Sequence, residues 1–416
     1  ADTVMISSAG EAAVSGVSLI DMFNNLIISV LAALATGGAV VTSQFLGAGK
    51  KEDACKSAKQ LIVSSVCITI GISILVMVFC NGIISLFFGK IEADVFHNAV
   101  IYMMISALSF PFLALYNSCA ALFRSMGNSQ ITLKVSVVEN IINIGGNALG
   151  VYVLGLGVAG VAIATVISNV LSTVLVMVHL HARTDEFQFC FHRLCIDGAD
   201  LKKVLLIGIP AGIQGAIFSV SNVFIQSGIN SFGEDAIAGS SLALNFEYFT
   251  YDIANAFAQA AVTFTSQNFG AGNLKRCKRL FWLCMLFGMG FTEILSIIFM
   301  IWDEFFVGIY TVSSSVAVYG LVRMHHVCSL EGLTATYEVE SAALRGMGKS
   351  LEPSIITILG TVVFRMIWLL TVFKWFPTYD MLMNVYVASW VCTGGAIFVV
   401  WFLYMRKMEK RQAELV

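Results

Sequence analysis

Apolar residues along this chain come in blocks of roughly 20 to 28, separated by short polar joints, and nowhere do they alternate with period two as barrel strands would. A helix needs about 20 apolar residues to cross roughly 30 Å of hydrocarbon. The blocks predict one partial and eleven complete helical spans. They lie at about 1–8, 14–42, 58–88, 93–121, 131–154, 158–181, 204–227, 238–264, 277–301, 315–343, 353–373 and 382–405. The expected fold class is an all-α integral membrane protein.

The pattern repeats. Gly10-Glu11 through Gln44-Phe45-Leu46-Gly47-Ala48-Gly49 returns as Gly233-Glu234 through Gln267-Asn268-Phe269-Gly270-Ala271-Gly272, with one constant offset and no gap between the two copies. Phe123-Arg124-Ser125-Met126-Gly127-Asn128 returns as Leu344-Arg345-Gly346-Met347-Gly348-Lys349, at an offset shorter by two. The chain reads as a tandem duplication. Six spans, an even number, fill one period, so both halves enter the bilayer in the same sense and form parallel repeats. Two pseudo-symmetric six-helix lobes are expected at 1–181 and 204–405, with a linker at 182–203 and a tail at 406–416. Ala1 aligns with Phe224, so most of a first helix is expected to be missing ahead of it.

Composition confirms the solvent. With 58% hydrophobic and 12% charged residues, the chain lies far from soluble domains, in which about a quarter of residues are charged. Charge placement gives orientation. Twenty of the 24 Lys and Arg fall on one set of joints and in the tail, against Lys90 and Lys374 on the other. The Gly-Ala-Gly joints and the C-terminus are therefore expected to be cytoplasmic. The formal charge of −2 argues against nucleic acid as a partner.

The ten cysteines are scattered and read as small packing residues. Cys190, His192 and Cys195 cluster in the linker without a fourth ligand, so no metal is expected. Charges within spans need reasons, since each costs roughly 2.5 to 3.5 kcal/mol at the centre of a membrane helix. Asp2, Asp21, Glu139, Glu247, Asp252, Glu293, Arg323, Glu331, Glu338, Glu340 and Arg365 are the candidates. Glu331, Thr334 and Glu338 share a helix face, either as a cavity wall or as ion-pair partners of Arg323 or Arg365. Glu247 aligns with Asn24, and Tyr248 and Asp252 stand four apart beside it. Asn140, Asn143 and Asn147 form an amide row that either lines a cavity or joins helices. The Gly-Ala-Gly joints lack P-loop spacing and read as helix ends.

These strings resemble the multidrug and toxic compound extrusion (MATE) family, bacterial type. The resemblance rests on the paired joints, with Gln44, Gly47 and Gly49 matching Gln267, Gly270 and Gly272. It also rests on Gly157-Val158-Ala159-Gly160 at the sixth helix, Gly208-Ile209-Pro210-Ala211-Gly212-Ile213-Gln214 at the seventh, and the strings around Arg124 and Arg345. It implies a twelve-helix antiporter that exports organic, often cationic, compounds against H+ or Na+ by alternating access. No enzyme activity is expected, since no paired Asp-rich or His-Glu zinc motif is present, and no cofactor beyond the coupling ion, a monomer, small organic substrates and a plasma-membrane location are expected as well. The family's first-helix acid falls on Asp2. Its fifth-helix pair falls on Asn143 and Asn147, an amide replacing the second acid, and Thr165 completes the expected coupling site. A second candidate site comprises Glu331, Thr334, Glu338 and Glu247; the family's tenth-helix acid falls on Thr334, where no carboxylate stands. A lipid-linked oligosaccharide flippase of related architecture is the alternative, and would call for a strongly basic cavity.

Overall fold

The computed structural model describes residues 5–6, 10–89, 91–182 and 197–414. Among them every regular element is helical and no strand occurs. Eleven helical rods stand where complete spans are expected. Span 2 is Glu11–Gly47; span 3 is Lys51–Val78 continued by Cys80–Phe88; span 4 is Ala93–Ser125; span 5 is Gln130–Ala148 with a π-turn at Leu149–Val153; span 6 is Gly157–His181. Span 7 is Gly198–Asn230, span 8 Glu234–Gly270, and span 9 Leu274–Ile301 followed by Asp303–Tyr310. Span 10 is Ser314–His326 and Thr334–Gly346 joined by a 3-10 stretch at Cys328–Leu333; span 11 runs from Leu351 to Trp375 through a π-turn at Ile358–Val363; span 12 is Tyr379–Glu414. Eight of these rods are long and apolar enough to cross a membrane; spans 5, 8 and 10 are more polar or interrupted, and they hold most of the candidate chemistry.

The chain divides into two compact units, 1–46 with 50–212, and 47–49 with 213–416. In the first, span 2 buries Val17, Ile20, Phe23, Ile27 and Leu31, spaced three or four apart so that one stripe faces inward. It packs with Tyr102, Met103 and Phe110 of span 4 and Val158, Val161 and Ala162 of span 6. In the second, Phe246 of span 8 sets its ring against Phe299, Phe306 and Tyr310, at 5.1, 5.6 and 5.6 Å.

The repeat recurs in atomic detail. A Cβ on Gly16 would lie 2.9 Å from Asn98 Cβ and 3.0 Å from the Val95 carbonyl. A Cβ on Gly239, the repeat counterpart of Gly16, would lie 2.8 Å from Tyr319 Cβ and 2.5 Å from the Val316 carbonyl. Tyr319 and Val316 are in turn the counterparts of Asn98 and Val95, at the shorter of the two offsets. Lipid leaves little hydrophobic drive between helices, so close backbone approach at small residues must supply the packing. The same glycine does so in both units.

Candidate functional site

In the first unit the amides and hydroxyl expected to act together do meet. Asn147 donates through Nδ2 to Asn143 Oδ1 at 3.2 Å, and Asn143 donates through Nδ2 to Thr165 Oγ1 at 3.1 Å. Thr165 closes the chain on the Val161 carbonyl at 3.1 Å. Side chains this short reach between helices only because spans 5 and 6 approach closely. A Cβ on Gly146 would sit 2.9 Å from Ala164 Cβ, and one on Gly150 would sit 2.9 Å from Gly160 Cα. Asn147 is fully buried and lies just before the π-turn at Leu149–Val153, a feature often found at functional positions. Asn140 does not join; it is exposed and donates back to the Ser136 carbonyl. Asp2 lies outside the described residues, as do Cys190, His192 and Cys195 of the linker.

In the second unit, Arg323 of span 10 clasps Glu247 of span 8 with both carboxylate oxygens engaged, Nε to Oε1 at 2.5 Å and Nη2 to Oε2 at 2.8 Å. Its Nη1 donates to Ser240 Oγ at 2.6 Å. Neither partner is open to solvent. This fork geometry is what a buried ion pair requires to offset its desolvation. Arg365 of span 11 donates to Ser389 Oγ and Asn222 Oδ1, both at 3.2 Å. The Tyr386 ring lies near both guanidinium groups, 5.3 Å from Arg323 and 4.7 Å from Arg365.

The four residues of the second candidate site fall into separate settings. Glu331 lies in the 3-10 stretch, just past the kinked Leu330. It is buried, and its Oε2 has no hydrogen-bond partner among the described residues. Thr334 donates to the Glu331 carbonyl at 2.6 Å. Glu338 accepts from the Tyr251 hydroxyl at 2.9 Å. Glu247 is committed to Arg323. Tyr248 and Asp252 turn outward, so the inward pair on span 8 is Glu247 and Tyr251. Sequence reasoning misses Tyr251 and Tyr386. The one signal for Tyr251 is its position a turn after Glu247.

Of the repeated joints, Gly49 and Gly272 both adopt φ +72, the left-handed conformation that ends a helix at little cost only for glycine. They allow Lys50 N to reach the Phe45 carbonyl and Asn273 N the Asn268 carbonyl, each at 2.9 Å. Within the second unit, a Cβ on Gly47 would overlap the Gln267 carbonyl oxygen, and Gly270 is the last residue of span 8. Arg345 donates to Gln214 Oε1 at 2.6 Å. Arg124, its counterpart, lies at the end of span 4, half-buried.

A family model described as MatE matches residues 1–149 and 210–370. The chain belongs to this family. It is a family of membrane transporters rather than enzymes, in keeping with a multi-pass membrane protein. Among curated relatives, an uncharacterized transporter, YisQ, of Bacillus subtilis is 27% identical over 328 residues, 76% of this chain and 70% of that protein. A protein of Thermotoga maritima named probable multidrug resistance protein NorM is 22% identical over 375 residues, 88% of this chain and 79% of its own. A crystal structure of a MATE in complex with MaL6 superposes with TM-score 0.91 at 19% identity, covering 98% of this chain and 92% of that one. The MATE-type fold expected from the sequence is thereby established, with eleven of its expected twelve helices among the described residues.

Proposed function

We propose that this protein is a secondary active exporter of organic, often cationic, compounds, driven by antiport of H+ or Na+ through alternating access of lobes 1–181 and 204–405. The observation that carries this reading is membership of the MatE family, whose relatives named for multidrug resistance align over most of the chain. The proposed setting is the plasma membrane with the C-terminus cytoplasmic, as a monomer, without nucleic acid or a cofactor beyond the coupling ion.

Asp2 with Asn143, Asn147 and Thr165 forms the first proposed coupling site. Glu331 and Glu338, with Thr334 and Glu247, form the second. The Asn147–Asn143–Thr165 chain supports the first, because it presents oxygens to an ion and amide donors to a carboxylate. The unpartnered Oε2 of Glu331 supports the second. A carboxylate that either an ion or a cationic substrate can occupy couples the two fluxes by competition. One charge moving down about 100 mV releases roughly 2.3 kcal/mol, which sustains a roughly fiftyfold gradient of an uncharged substrate.

The test is ethidium efflux from energised vesicles, with sodium and proton gradients imposed separately, for wild type, Asp2→Asn, Glu331→Gln and Glu338→Gln. Efflux driven by one gradient and lost in Asp2→Asn is the expected result. Loss confined to the Glu331 and Glu338 variants would move coupling to the second unit. Failure of efflux under both gradients would sink the antiporter reading and favour a lipid-linked oligosaccharide flippase.

A further inference from the structure

The start of span 9 and the end of span 12 meet along a ladder of rings. Phe281 stacks on Trp401 with centroids 3.7 Å apart. Beside this pair, Trp282 meets Phe398 at 6.0 Å and Phe398 meets Phe402 at 6.3 Å. Arg406 then sets its guanidinium 5.4 Å over the Phe402 ring. Trp282 is 50% and Phe402 41% exposed, so the outer edge of the ladder is open. Exposed aromatics of this kind sit at the headgroup level of a bilayer. Arg279, one turn before Trp282, is exposed as well.

The surrounding charge is one-sided. Lys275, Arg276, Lys407 and Lys410 are exposed around the seam, while Glu409 is already held by Lys278 at 3.2 Å. Gln412 Nε2 donates to the Gly272 carbonyl at 3.1 Å, which fixes the helical tail on the joint and keeps its cations in register with those of span 9. The corresponding joint of the first unit differs. There Glu52 and Asp53 sit among the lysines, and Lys56 pairs with Asp53 at 3.9 Å.

We propose that this seam is a binding site for an anionic phospholipid, with its phosphate between Arg279 and Arg406 and an acyl chain along Trp282 and Phe402. Basic clusters at the end of a membrane helix attract acidic lipid headgroups, and guanidinium is the cation suited to phosphate. The rings select a lipid over a free phosphate because they offer apolar surface at bilayer depth. Nucleic acid is disfavoured for the same reason.

The test is native mass spectrometry of the full chain released from micelles containing equal phosphatidylglycerol and phosphatidylcholine. Wild type is expected to retain phosphatidylglycerol with about a tenfold preference, and Arg279→Gln/Arg406→Gln to lose that preference. Trp282→Ala/Phe402→Ala is expected to lower retention of both lipids. Arg406→Gln alone changes an exposed side chain and serves if the double variant does not fold; it is expected to lose at least half of the preference. Equal retention of the two lipids by wild type would overturn the proposal. So would an unchanged preference in the arginine variants, or an equal loss on neutralising Lys51 and Lys59 of the first-unit joint, which would mark diffuse attraction in place of a site.

Discussion

In the first unit Tyr102 of span 4 donates its hydroxyl to Asp21 of span 2 at 3.0 Å. In the second, the repeat counterpart of Tyr102 is Arg323 of span 10, which grips Glu247 of span 8 through two hydrogen bonds. Glu247 is the counterpart of Asn24, and Asn24 stands one turn from Asp21. One frame thus carries a single hydroxyl–carboxylate bond in one unit and a buried ion pair in the other. Duplication preserved which helices touch and let the chemistry of the contact diverge.

The sharpest way to break the comparison is to remove the cation. Arg323→Met leaves Glu247 buried without its counter-ion and is expected to cost about 3 to 5 kcal/mol, read as a lowered unfolding midpoint in detergent. Adding Glu247→Leu should restore most of it, because two apolar groups of fitting volume replace the pair. Tyr102→Phe in the first unit removes one hydrogen bond and is expected to cost about 0.5 to 1.5 kcal/mol. Equal losses from Arg323→Met and Tyr102→Phe would show the two contacts to be energetically alike.

The same frame holds a second contrast, at the helix breaks. Pro111 interrupts the hydrogen bonding of span 4 without interrupting the helix. A proline has no N–H for the carbonyl four residues back, and Ser73 of span 3 donates to that carbonyl, Ala107 O, at 2.8 Å. At the equivalent position of span 10 stands Gly332, in the 3-10 stretch. Its N–H donates to Glu293 Oε2 of span 9 at 3.1 Å. Ser296, the counterpart of Ser73, has a buried hydroxyl with no partner among the described residues. One unit thus leaves an orphan acceptor and meets it with a donor; the other leaves a donor and meets it with a carboxylate. Ser73→Ala is expected to cost about 0.5 to 1.5 kcal/mol, and Pro111→Ala in the same chain to recover part of that by supplying the missing N–H. Ser296→Ala should be nearly neutral. A Ser296→Ala loss as large as that of Ser73→Ala would contradict this account.

Much of this frame was legible from the residues. The blocks of apolar residues locate the eleven rods, and the repeat offset pairs Gly16 with Gly239, whose equivalent neighbours only the structure shows. The spacing of four places Asn143 and Asn147 on one face, but Thr165 enters only through the family resemblance, and the hydrogen-bonded chain that joins all three is visible only in the structure. The partner of Arg323 was not legible: the sequence offers Glu331 and Glu338, but Leu330, with φ −128 and ψ 21, breaks the helix between Arg323 and both, and Glu247 of span 8 takes the pairing. Only Gly332 marks that stretch in the sequence, and one glycine in a helical pattern is a weak signal. Helical spacing on span 8 also defines adjacent stripes without saying which faces inward, so Tyr248 and Asp252 drew attention in place of Tyr251.

The smallest difference between the units lies just past the repeated arginines. Lys349 donates to Glu352 at 2.9 Å and lies 5.8 Å from the Tyr404 ring centroid, whereas the first unit has Asn128 and Ile131 at these positions. Both partners of the second-unit bridge are 42% exposed, so solvent screens it. Replacing them with the first-unit residues, Lys349→Asn with Glu352→Ile, is expected to cost less than about 0.5 kcal/mol. The hydrogen bond to Glu352 holds the Lys349 ammonium above its ordinary range. A folded-state value raised in this way gives a contribution that is complete below the unfolded lysine value of about 10.4 and disappears as pH rises through the higher folded value. The unfolding midpoints of wild type and double variant should therefore differ by a small constant from about pH 7 to about pH 10 and converge above that. A difference that instead grows with pH, or exceeds about 1 kcal/mol at neutrality, would mean that this joint has acquired a structural role its twin in the first unit lacks.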